Sequence, residues 1–173
     1  MKELIDSPKG AGKEIMKIYS KEFSVEKKKD NSPLTEADKR SHEIIVEGLK
    51  KYPVLSEEDV IEWEKRKKWD KFWLVDPLDG TKEFIKKNDE FTVNIALIEN
   101  NKPTIGVVYA PALDECFWCD GKKSYKDGKE LPLQKKSDKI VVSRSHMNEK
   151  TKKYVEKRGG RTISKGSSLK LCA

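Results

Sequence analysis

The stretch that decides the fold is Phe72-Trp73-Leu74-Val75-Asp76-Pro77-Leu78-Asp79-Gly80-Thr81. Its first four residues form an apolar run, which predicts a short buried strand. Pro77 favours an extended conformation for Asp76, so a carboxylate should stand at the end of that strand. Asp79 follows three residues later in a tight turn, and Gly80 can adopt backbone conformations that other residues resist. Both acids can therefore point into one small volume.

Two carboxylates in one volume repel each other unless a cation lies between them. A hard divalent ion such as Mg²⁺ prefers oxygen ligands, and the amides of Gly80 and Thr81 could hold an anion beside it. The alternative is an ordinary turn, because Asp-Pro and Asp-Gly are common turn dipeptides. A second acidic cluster, Glu57-Glu58-Asp59, favours the metal site, since it follows the strand-like Pro53-Val54-Leu55-Ser56. If the two strands are neighbours, their carboxyl ends meet.

The composition is typical of a soluble protein with a lysine-rich surface. Of the 173 residues, 39% are charged and 35% are hydrophobic, and the formal net charge is +7. No run approaches the roughly 18 apolar residues of a membrane span, and the N-terminus lacks the apolar core of a signal peptide. We therefore expect a cytoplasmic protein without an integral membrane segment, and peripheral attachment to the inner membrane is the alternative.

The lysine clusters admit a nucleic-acid binder or a solvated surface. Lys27-Lys28-Lys29, Lys65 to Lys68 and Lys150 to Lys153 are scattered among acids, without interleaved aromatic residues. A nucleic-acid interface usually concentrates its positive charge on one face or in a recognisable motif. The pattern favours surface lysine and predicts no nucleic-acid partner.

Cys116 and Cys119 form a C-x-x-C pair, a spacing typical of zinc and redox sites. The sequence around them alternates like a strand, and residues three apart on a strand point to opposite faces. The two thiols should then not share a metal ion. Because Cys172 is a single distant thiol, structural roles are predicted for all three cysteines.

The N-terminal part is predicted to contain two helices. Apolar residues between positions 4 and 19 indicate an amphipathic helix, which Pro8 and two glycines should break, so that its firm part begins near Ala11. Thr35 and Asp38 have the spacing of a capping box at the start of a second helix. From the residues alone, a capping role is favoured for Asp38.

Short alternating strands between residues 91 and 131 predict an antiparallel meander. Together with the earlier helices, they predict an α+β class in which helices pack on an antiparallel sheet. The composition then turns polar at Leu133 to Asp138. We therefore expect an N-terminal metal-binding domain at 1–133 and the start of a C-terminal α/β domain at 134–173.

The second unit carries the signals of a strand, a helix and another strand. Ile140-Val141-Val142 predicts the first strand, Asn148 a helix cap, and Thr162-Ile163 the second strand. Gly166-Ser167-Ser168 then precedes a further apolar segment, which has no end signal before the last residue. The sequence therefore predicts an incomplete second unit.

Several ordered blocks resemble the lithium-sensitive, Mg²⁺-dependent phosphatases of the inositol monophosphatase family. The two most specific blocks run from Leu55 to Asp59 and from Trp73 to Phe84. The others are Asp30 to Thr35, Phe91 to Ala96, Val107 to Pro111, Ser143 to His146 and Gly166 to Lys170. Within the family the chain is most similar to the bacterial CysQ-type 3'(2'),5'-bisphosphate nucleotidases. The resemblance implies the layered αβαβα sandwich of these phosphatases, with the second α/β unit incomplete.

The resemblance implies a role for each matching residue. The metal ligands would be Glu57, Asp76, Asp79 and the backbone carbonyl of Leu78. Asp38 and Thr81 would activate the attacking water, which gives Asp38 more than a capping role. The amides of Gly80 and Thr81 would hold the phosphate, and the nucleotide would contact His146, Ser167 and Lys170. The implied cofactor is two or three Mg²⁺ ions, and Li⁺ would inhibit.

The implied reaction is hydrolysis of adenosine 3',5'-bisphosphate to AMP and phosphate, which clears a by-product of sulfate assimilation. The alternatives are an inositol or sugar monophosphatase and, from another class, a non-catalytic remnant that binds anions or nucleic acid. Family members carry a further metal-ligating Asp, after a Trp, in a C-terminal segment that this chain lacks. We therefore expect the 173-residue chain to bind Mg²⁺ weakly and to hydrolyse its substrate poorly or not at all.

Overall fold

The computed structural model describes residues 2–28, 33–132 and 138–172. The helices are α1 (Lys2–Tyr19), α2 (Glu36–Gly48), α3 (Trp63–Arg66), α4 (Thr81–Ile85), α5 (Glu149–Arg158) and α6 (Leu169–Cys172). The strands are β1 (Val25–Lys27), β2 (Pro33–Thr35), β3 (Val54–Ser56), β4 (Lys71–Asp79), β5 (Thr92–Glu99), β6 (Lys102–Ala110), β7 (Glu115–Cys119), β8 (Ser124–Lys126), β9 (Lys129–Glu130), β10 (Lys139–Ser143) and β11 (Arg161–Lys165). Within the described ranges, no helix has the length and apolar character needed to cross a membrane.

Seven strands form one sheet in the order β3-β4-β5-β6-β7-β8-β9. From β4 onward each strand pairs antiparallel with the next, which confirms the predicted meander. Strand β3 is the exception, because it pairs parallel to β4. Two further sheets have two strands each, β1-β2 antiparallel and β10-β11 parallel.

Helix α1 is continuous, so the predicted break at Pro8 is wrong. Pro8 lacks the amide hydrogen of a helix interior residue, which usually costs about 3 kcal/mol. Tertiary packing outweighs this cost, since Leu4 and Ile15 of the same helix are at most 2% exposed. Small residues bring α1 and α2 close together: a side chain added at Gly48 would lie 2.9 Å from the Ser7 hydroxyl.

The second helix begins as predicted. Thr35 is the N-cap of α2, and its side chain and the Asp38 side chain make both halves of a capping box. Helices α1 and α2 pack against each other and cover one face of the large sheet. This face contains the main hydrophobic core.

The second unit also has the predicted elements. Asn148 caps α5 by accepting a hydrogen bond from the Thr151 amide at 2.9 Å. The helix connects the parallel strands β10 and β11, and α6 follows them. Residues 133–137 and the Asp30 to Ser32 part of the resembling block lie outside the described residues, so the domain boundary at 133/134 stays a prediction.

The opposite face of the large sheet is only partly covered. Helix α6 packs there through Leu169, against Phe117 and Ala110. Beside this cluster lies a cavity of about 780 Å³, which we call the apolar groove. Its lining includes Leu74, Ala96, Val108, Phe117, Trp118, Tyr125 and Leu171. Leu74 and Leu171 are 45% and 83% exposed, so the groove is open to solvent.

The cysteines follow the prediction in position. Cys116 and Cys119 both lie on β7, where Cys116 is buried in the core, and all three thiols are free. Burial raises the pKa of the Cys116 thiol and of the Cys172 thiol, which keeps both in their neutral form. Neutral, partly buried thiols suit a structural role.

Gly12→Ala should destabilise the protein by about 1–3 kcal/mol, the usual cost of overpacking. A Cβ at this position of α1 would lie 2.5 Å from Tyr109 Cε1 and 3.0 Å from Pro111 Cβ. The Tyr109 ring cannot move aside freely, because it is 7% exposed and its hydroxyl donates to Asp114 at 2.9 Å. Urea unfolding followed by circular dichroism measures the effect.

The matched control is Gly10→Ala in the same helix. Its nearest neighbour would be Ile44 Cγ2 at 3.6 Å, an ordinary contact distance. Alanine has the higher helix propensity, so this variant should gain up to about 1 kcal/mol in unfolding free energy. Equal changes in the two variants would contradict the close packing of α1 on β6.

Candidate metal centre and active site

The parallel pairing of β3 with β4 brings two acids side by side. Ser56 pairs with Val75, and the Glu57 amide donates to the Val75 carbonyl at 3.1 Å. The next residue along β4 is Asp76. The two strand ends therefore meet, as the sequence analysis expected if the strands were neighbours.

Asp76 is a largely buried acid with two other acids nearby. Burial, followed by the negative charges of Glu57 and Asp79, raises the pKa of Asp76 to about 8. A single backbone donor opposes this effect, the Leu78 amide at 3.2 Å from Asp76 Oδ1. Without a compensating cation, burial beside two other acids therefore favours the protonated form of Asp76.

The turn after Asp76 depends on a glycine. Gly80 has a φ of +91°, in the left-handed region that favours glycine. A Cβ there would also lie 3.0 Å from Ser167 Cβ and 3.1 Å from the Glu90 carbonyl oxygen. Gly80 thus lets the chain reverse directly beneath the loop that contains Ser167. Helix α4 then begins at Thr81.

Asp38 caps α2 and also contacts the turn after β4. It is 1% exposed, and its Oδ2 accepts hydrogen bonds from the Thr35 amide at 2.7 Å and the Thr35 hydroxyl at 2.6 Å. Its other oxygen, Oδ1, lies 3.3 Å from the Thr81 hydroxyl. Burial raises the pKa of Asp38, which increases its affinity for a proton. The cap predicted from the residues and the contact implied by the resemblance are both present.

The Asp79 carboxylate faces polar residues that the sequence analysis did not select. Its Oδ2 accepts hydrogen bonds from the Ser168 amide and the Ser168 hydroxyl, both at 2.6 Å. Asn94 and Thr92 of β5 lie 3.3 and 3.4 Å from the same oxygen. The sequence signal for these residues was weak, consisting of polar side chains inside an otherwise apolar strand and a serine in a predicted helix start.

These elements enclose a pocket of about 300 Å³, which we call the acidic pocket. It is lined by Pro33, Glu57, Asp76, Leu78, Asp79, Gly80, Thr81, Lys82, Glu83, Ser143, His146, Gly166, Ser167 and Lys170. The structure therefore brings together every candidate site residue except Asp38, which lies behind Thr81. The roles assigned to these residues by resemblance stay predictions.

Lys28 differs from the surface lysine that the sequence predicted. Its side chain is 18% exposed, and its ammonium lies 2.7 Å from both Glu57 Oε1 and Glu58 Oε1. Burial disfavours the charged form, but the two carboxylates outweigh burial and raise the pKa of Lys28. A positive charge therefore already lies against one of the candidate metal ligands.

A divalent cation fits the chemistry of the acidic pocket. The candidate ligands are all oxygen atoms, the type that Mg²⁺ prefers. Burial, and then the charges of Glu57 and Asp79, raise the pKa of Asp76, and a bound cation would offset both effects. Across residues 2–28, 33–132 and 138–172, no three Asp, Glu, His or Cys side chains are already arranged closely around one point. The Lys28 contact uses Oε1 of Glu57, and no hydrogen bond to Oε2 is present among the described residues, so Oε2 is the oxygen of Glu57 that faces the least competition for a cation.

Two buried glutamates attach the second unit to the acidic pocket. Glu90 accepts hydrogen bonds from the Arg144 guanidinium at 2.6 and 2.8 Å and from the Gly166 amide at 2.7 Å. Glu83 accepts a hydrogen bond from the Ser145 hydroxyl. The glutamates are 8% and 4% exposed, and no spacing rule in the sequence singled them out. They fix the loops that carry His146 and Ser167.

Comparisons with known proteins place this architecture in a family. The sequence profile of the Inositol monophosphatase family matches residues 2–173. The 3'(2'),5'-bisphosphate nucleotidase CysQ of Salmonella typhimurium is 45% identical to the chain, over 99% of the chain and 75% of that protein. Both findings agree with the resemblance stated from the sequence motifs.

Solved structures confirm the α+β sandwich fold. CysQ from Bacteroides thetaiotaomicron, a bacterial member of the inositol monophosphatase family, has a TM-score of 0.82 at 40% identity, over 98% of this chain and 73% of that one. An IMPase/NADP phosphatase complexed with Mg²⁺ and phosphate has a TM-score of 0.75 over 95% of this chain and 66% of that one, and at 19% identity it shows the shared fold alone. From the profile match, the sequence identity and the common fold together, we conclude that the chain belongs to the inositol monophosphatase family.

Proposed function

We propose that this protein is a Mg²⁺-dependent phosphatase that hydrolyses adenosine 3',5'-bisphosphate to AMP and phosphate. The observation that carries the proposal is the convergence of Glu57, Asp76 and Asp79 on one pocket, next to a buried carboxylate bonded to Thr81. The name of the 45% identical relative supports the choice of substrate. The proposed role is removal of this nucleotide during sulfate assimilation.

Glu57, Asp76, Asp79 and the Leu78 carbonyl would hold the ions. Bound Mg²⁺ would neutralise charge on the phosphate and lower the pKa of a water molecule. The number of ions, two or three, and inhibition by Li⁺ are part of the proposal. If an ion displaced Lys28 from Glu57, the Lys28 ammonium would keep Glu58 as its partner.

Asp38 and Thr81 would orient and deprotonate the attacking water. The Thr81 hydroxyl lies 3.3 Å from two acceptors, Asp38 Oδ1 and the Leu78 carbonyl oxygen. With the Leu78 carbonyl turned to an ion, the hydroxyl would donate to Asp38, and its oxygen lone pairs would accept a hydrogen bond from the water. A proton leaving the water can pass through the Thr81 hydroxyl to Asp38. The raised pKa of Asp38 favours that transfer, because a carboxylate of higher pKa is a stronger base.

The cationic and hydrogen-bonding part of the pocket lining would bind the nucleotide. Lys82, His146 and Lys170 belong to it, and Ser167 presents its backbone next to Lys170. Cationic and hydrogen-bonding groups here suit a substrate with a second phosphate better than a sugar with one phosphate. This part of the lining therefore favours the bisphosphate nucleotide over the inositol or sugar monophosphate alternative.

Asp38→Asn should lower phosphate release by at least about 100-fold, the usual contribution of a positioned general base. The amide keeps the size of the side chain but accepts a proton poorly. The assay measures phosphate from adenosine 3',5'-bisphosphate with Mg²⁺, and again with EDTA. Each variant is compared with the parent chain in the same assay, so the test depends on the ratio of the two rates.

The matched control is Asp70→Asn, an exposed acid before β4. It should leave the rate unchanged. Release that persists in EDTA, or that Asp38→Asn does not reduce, would overturn the proposed mechanism. A substrate panel with inositol phosphate and a single-stranded RNA tests the two alternatives, and a preference for either over the nucleotide would favour that alternative.

Asp76→Asn should stabilise the metal-free protein increasingly as the pH rises from about 4 to about 8. A folded-state pKa above the unfolded value means that the native protein holds a proton that the unfolded chain has lost, so stability falls as pH rises through this window. The amide has no proton to lose. Each pKa unit corresponds to about 1.4 kcal/mol, so the gain at pH 8 should exceed about 1 kcal/mol.

Thermal unfolding at pH 5 and pH 8 in EDTA measures this difference. Added Mg²⁺ should raise the melting temperature of the parent more at pH 8 than at pH 5, and it should barely affect Asp76→Asn. A variant that is less stable than the parent at pH 8 would contradict the repulsion between the three acids.

We also propose a cytoplasmic location, which cell fractionation tests.

A further inference from the structure

We propose that Ser168, supported by Asn94 and Thr92, is a positioning residue that turns Asp79 so that one carboxylate oxygen faces the divalent cation. The inference rests on the proposed function and adds residues to it. Ser168 would act through Asp79 and would set the affinity for the ion. Ser168 lies between Ser167 and Lys170, the two residues to which the family resemblance gives substrate contacts.

The hydrogen bonds to Asp79 are strongly one-sided. Oδ2 receives the Ser168 amide and hydroxyl at 2.6 Å, the Asn94 amide at 3.3 Å and the Thr92 hydroxyl at 3.4 Å. Among the described residues, none donates to Oδ1. Hydrogen bonds donated to a carboxylate are short and strong, so they fix the rotation of the Asp79 side chain. The oxygen left over is the one available to a cation.

The direction of each hydrogen bond in this group is determined. The Ser168 hydroxyl donates to Asp79 and accepts from Asn94 Nδ2 at 3.0 Å. Asn94 must therefore point its NH₂ group towards both partners. Its own Oδ1 is then left buried without a hydrogen-bond partner in the described part of the chain. Flipping the amide would place Asn94 Oδ1 against the Asp79 carboxylate oxygen, where two acceptors would face each other without a hydrogen between them.

The loop that presents Ser168 is held rigidly. The Gly166 amide donates to Glu90 Oε2 at 2.7 Å, and a side chain at Gly166 would lie 2.6 Å from Glu83 Cγ. Ser167 has a φ of +44°, a backbone conformation that residues other than glycine rarely adopt. Such strain persists only where the surroundings enforce it. The contacts of Gly166 with Glu90 and Glu83 thus hold the loop in which the Ser168 amide donates to Asp79.

Partners that orient a metal ligand typically change metal affinity 10–100-fold when they are removed. Ser168→Ala deletes the hydroxyl donor and keeps the backbone donor. We expect its Kd for Mn²⁺ to rise at least tenfold. Ser168→Thr retains a hydroxyl and should stay within threefold of the parent. Thr92→Val removes the longest contact and should have a smaller effect than Ser168→Ala.

The experiment titrates the metal-free full chain with Mn²⁺ and measures the free ion by electron paramagnetic resonance, with no substrate present. Ser124→Ala, an exposed serine on β8, is the matched control and should bind like the parent. Thermal unfolding in EDTA checks that each variant is folded. Loss of affinity in Ser168→Ala with recovery in Ser168→Thr supports the inference, since a general loss of stability would not be restored by the hydroxyl.

The other outcomes are distinct. If the parent binds Mn²⁺, Asp76→Asn does not, and Ser168→Ala binds as tightly as the parent, the positioning role is wrong and the proposed function stands. If the parent binds no Mn²⁺ at millimolar concentration, the metal-dependent function fails, and the inference fails with it.

Discussion

Repulsion between three carboxylates at one edge of the sheet is the constraint on which the rest of the structure depends. Glu57 reaches this edge because β3 runs parallel to β4, and Asp79 reaches it because Gly80 permits a tight reversal. Burial adds to the cost of charge here, and together with Glu57 and Asp79 it raises the pKa of Asp76. A fold that brings negative charges together must offset their repulsion with a positive charge. The Lys28 ammonium, which lies against Glu57, supplies part of that positive charge.

The rigidity of the surroundings keeps the acids from relaxing apart. On one side, the Ser41 hydroxyl of α2 donates to the Pro77 carbonyl at 2.7 Å, which ties the helix layer to the turn. On the other side, Glu90 and Glu83 hold the loops of the second unit against the same turn. The residues of the site therefore come from both sides of the predicted boundary at 133/134. Its geometry follows from the way in which two layers close on the end of β4.

Local signals predicted the elements well. An apolar run followed by Asp-Pro located β4, Thr35 with Asp38 gave the start of α2, and Asn148 gave the start of α5. Each of these signals depends on residues within one or two turns of chain. The break expected at Pro8 was wrong because the packing of α1 on α2 and the sheet, which involves distant residues, overrides local propensity. The parallel pairing of β3 was stated only as a condition for the same reason.

The contacts that shape the site were the least predictable. Thr81 and Asp38 are 43 residues apart, and Ser168 and Asp79 are 89 apart. Periodicity, capping and turn rules describe the chain over a few residues, so they cannot identify such pairs. The resemblance to a family supplied Asp38, Thr81 and the ligand set, because it draws on whole folds. It supplied no role for Asn94, Glu90 or Ser168, whose contacts with the site join residues far apart in the sequence.

The apolar groove has an electrostatic consequence, because Glu57 and Asp76 form part of its wall as well as part of the acidic pocket. Water in the open groove screens these carboxylates from behind. Any apolar surface that packed against Leu74 and Leu171 would expel this water and lower the local dielectric constant. Coulomb interactions strengthen as the dielectric constant falls, so the same acids would attract a cation more strongly. The hydrophobic covering of one face of the sheet is thus linked to the charge chemistry at its edge.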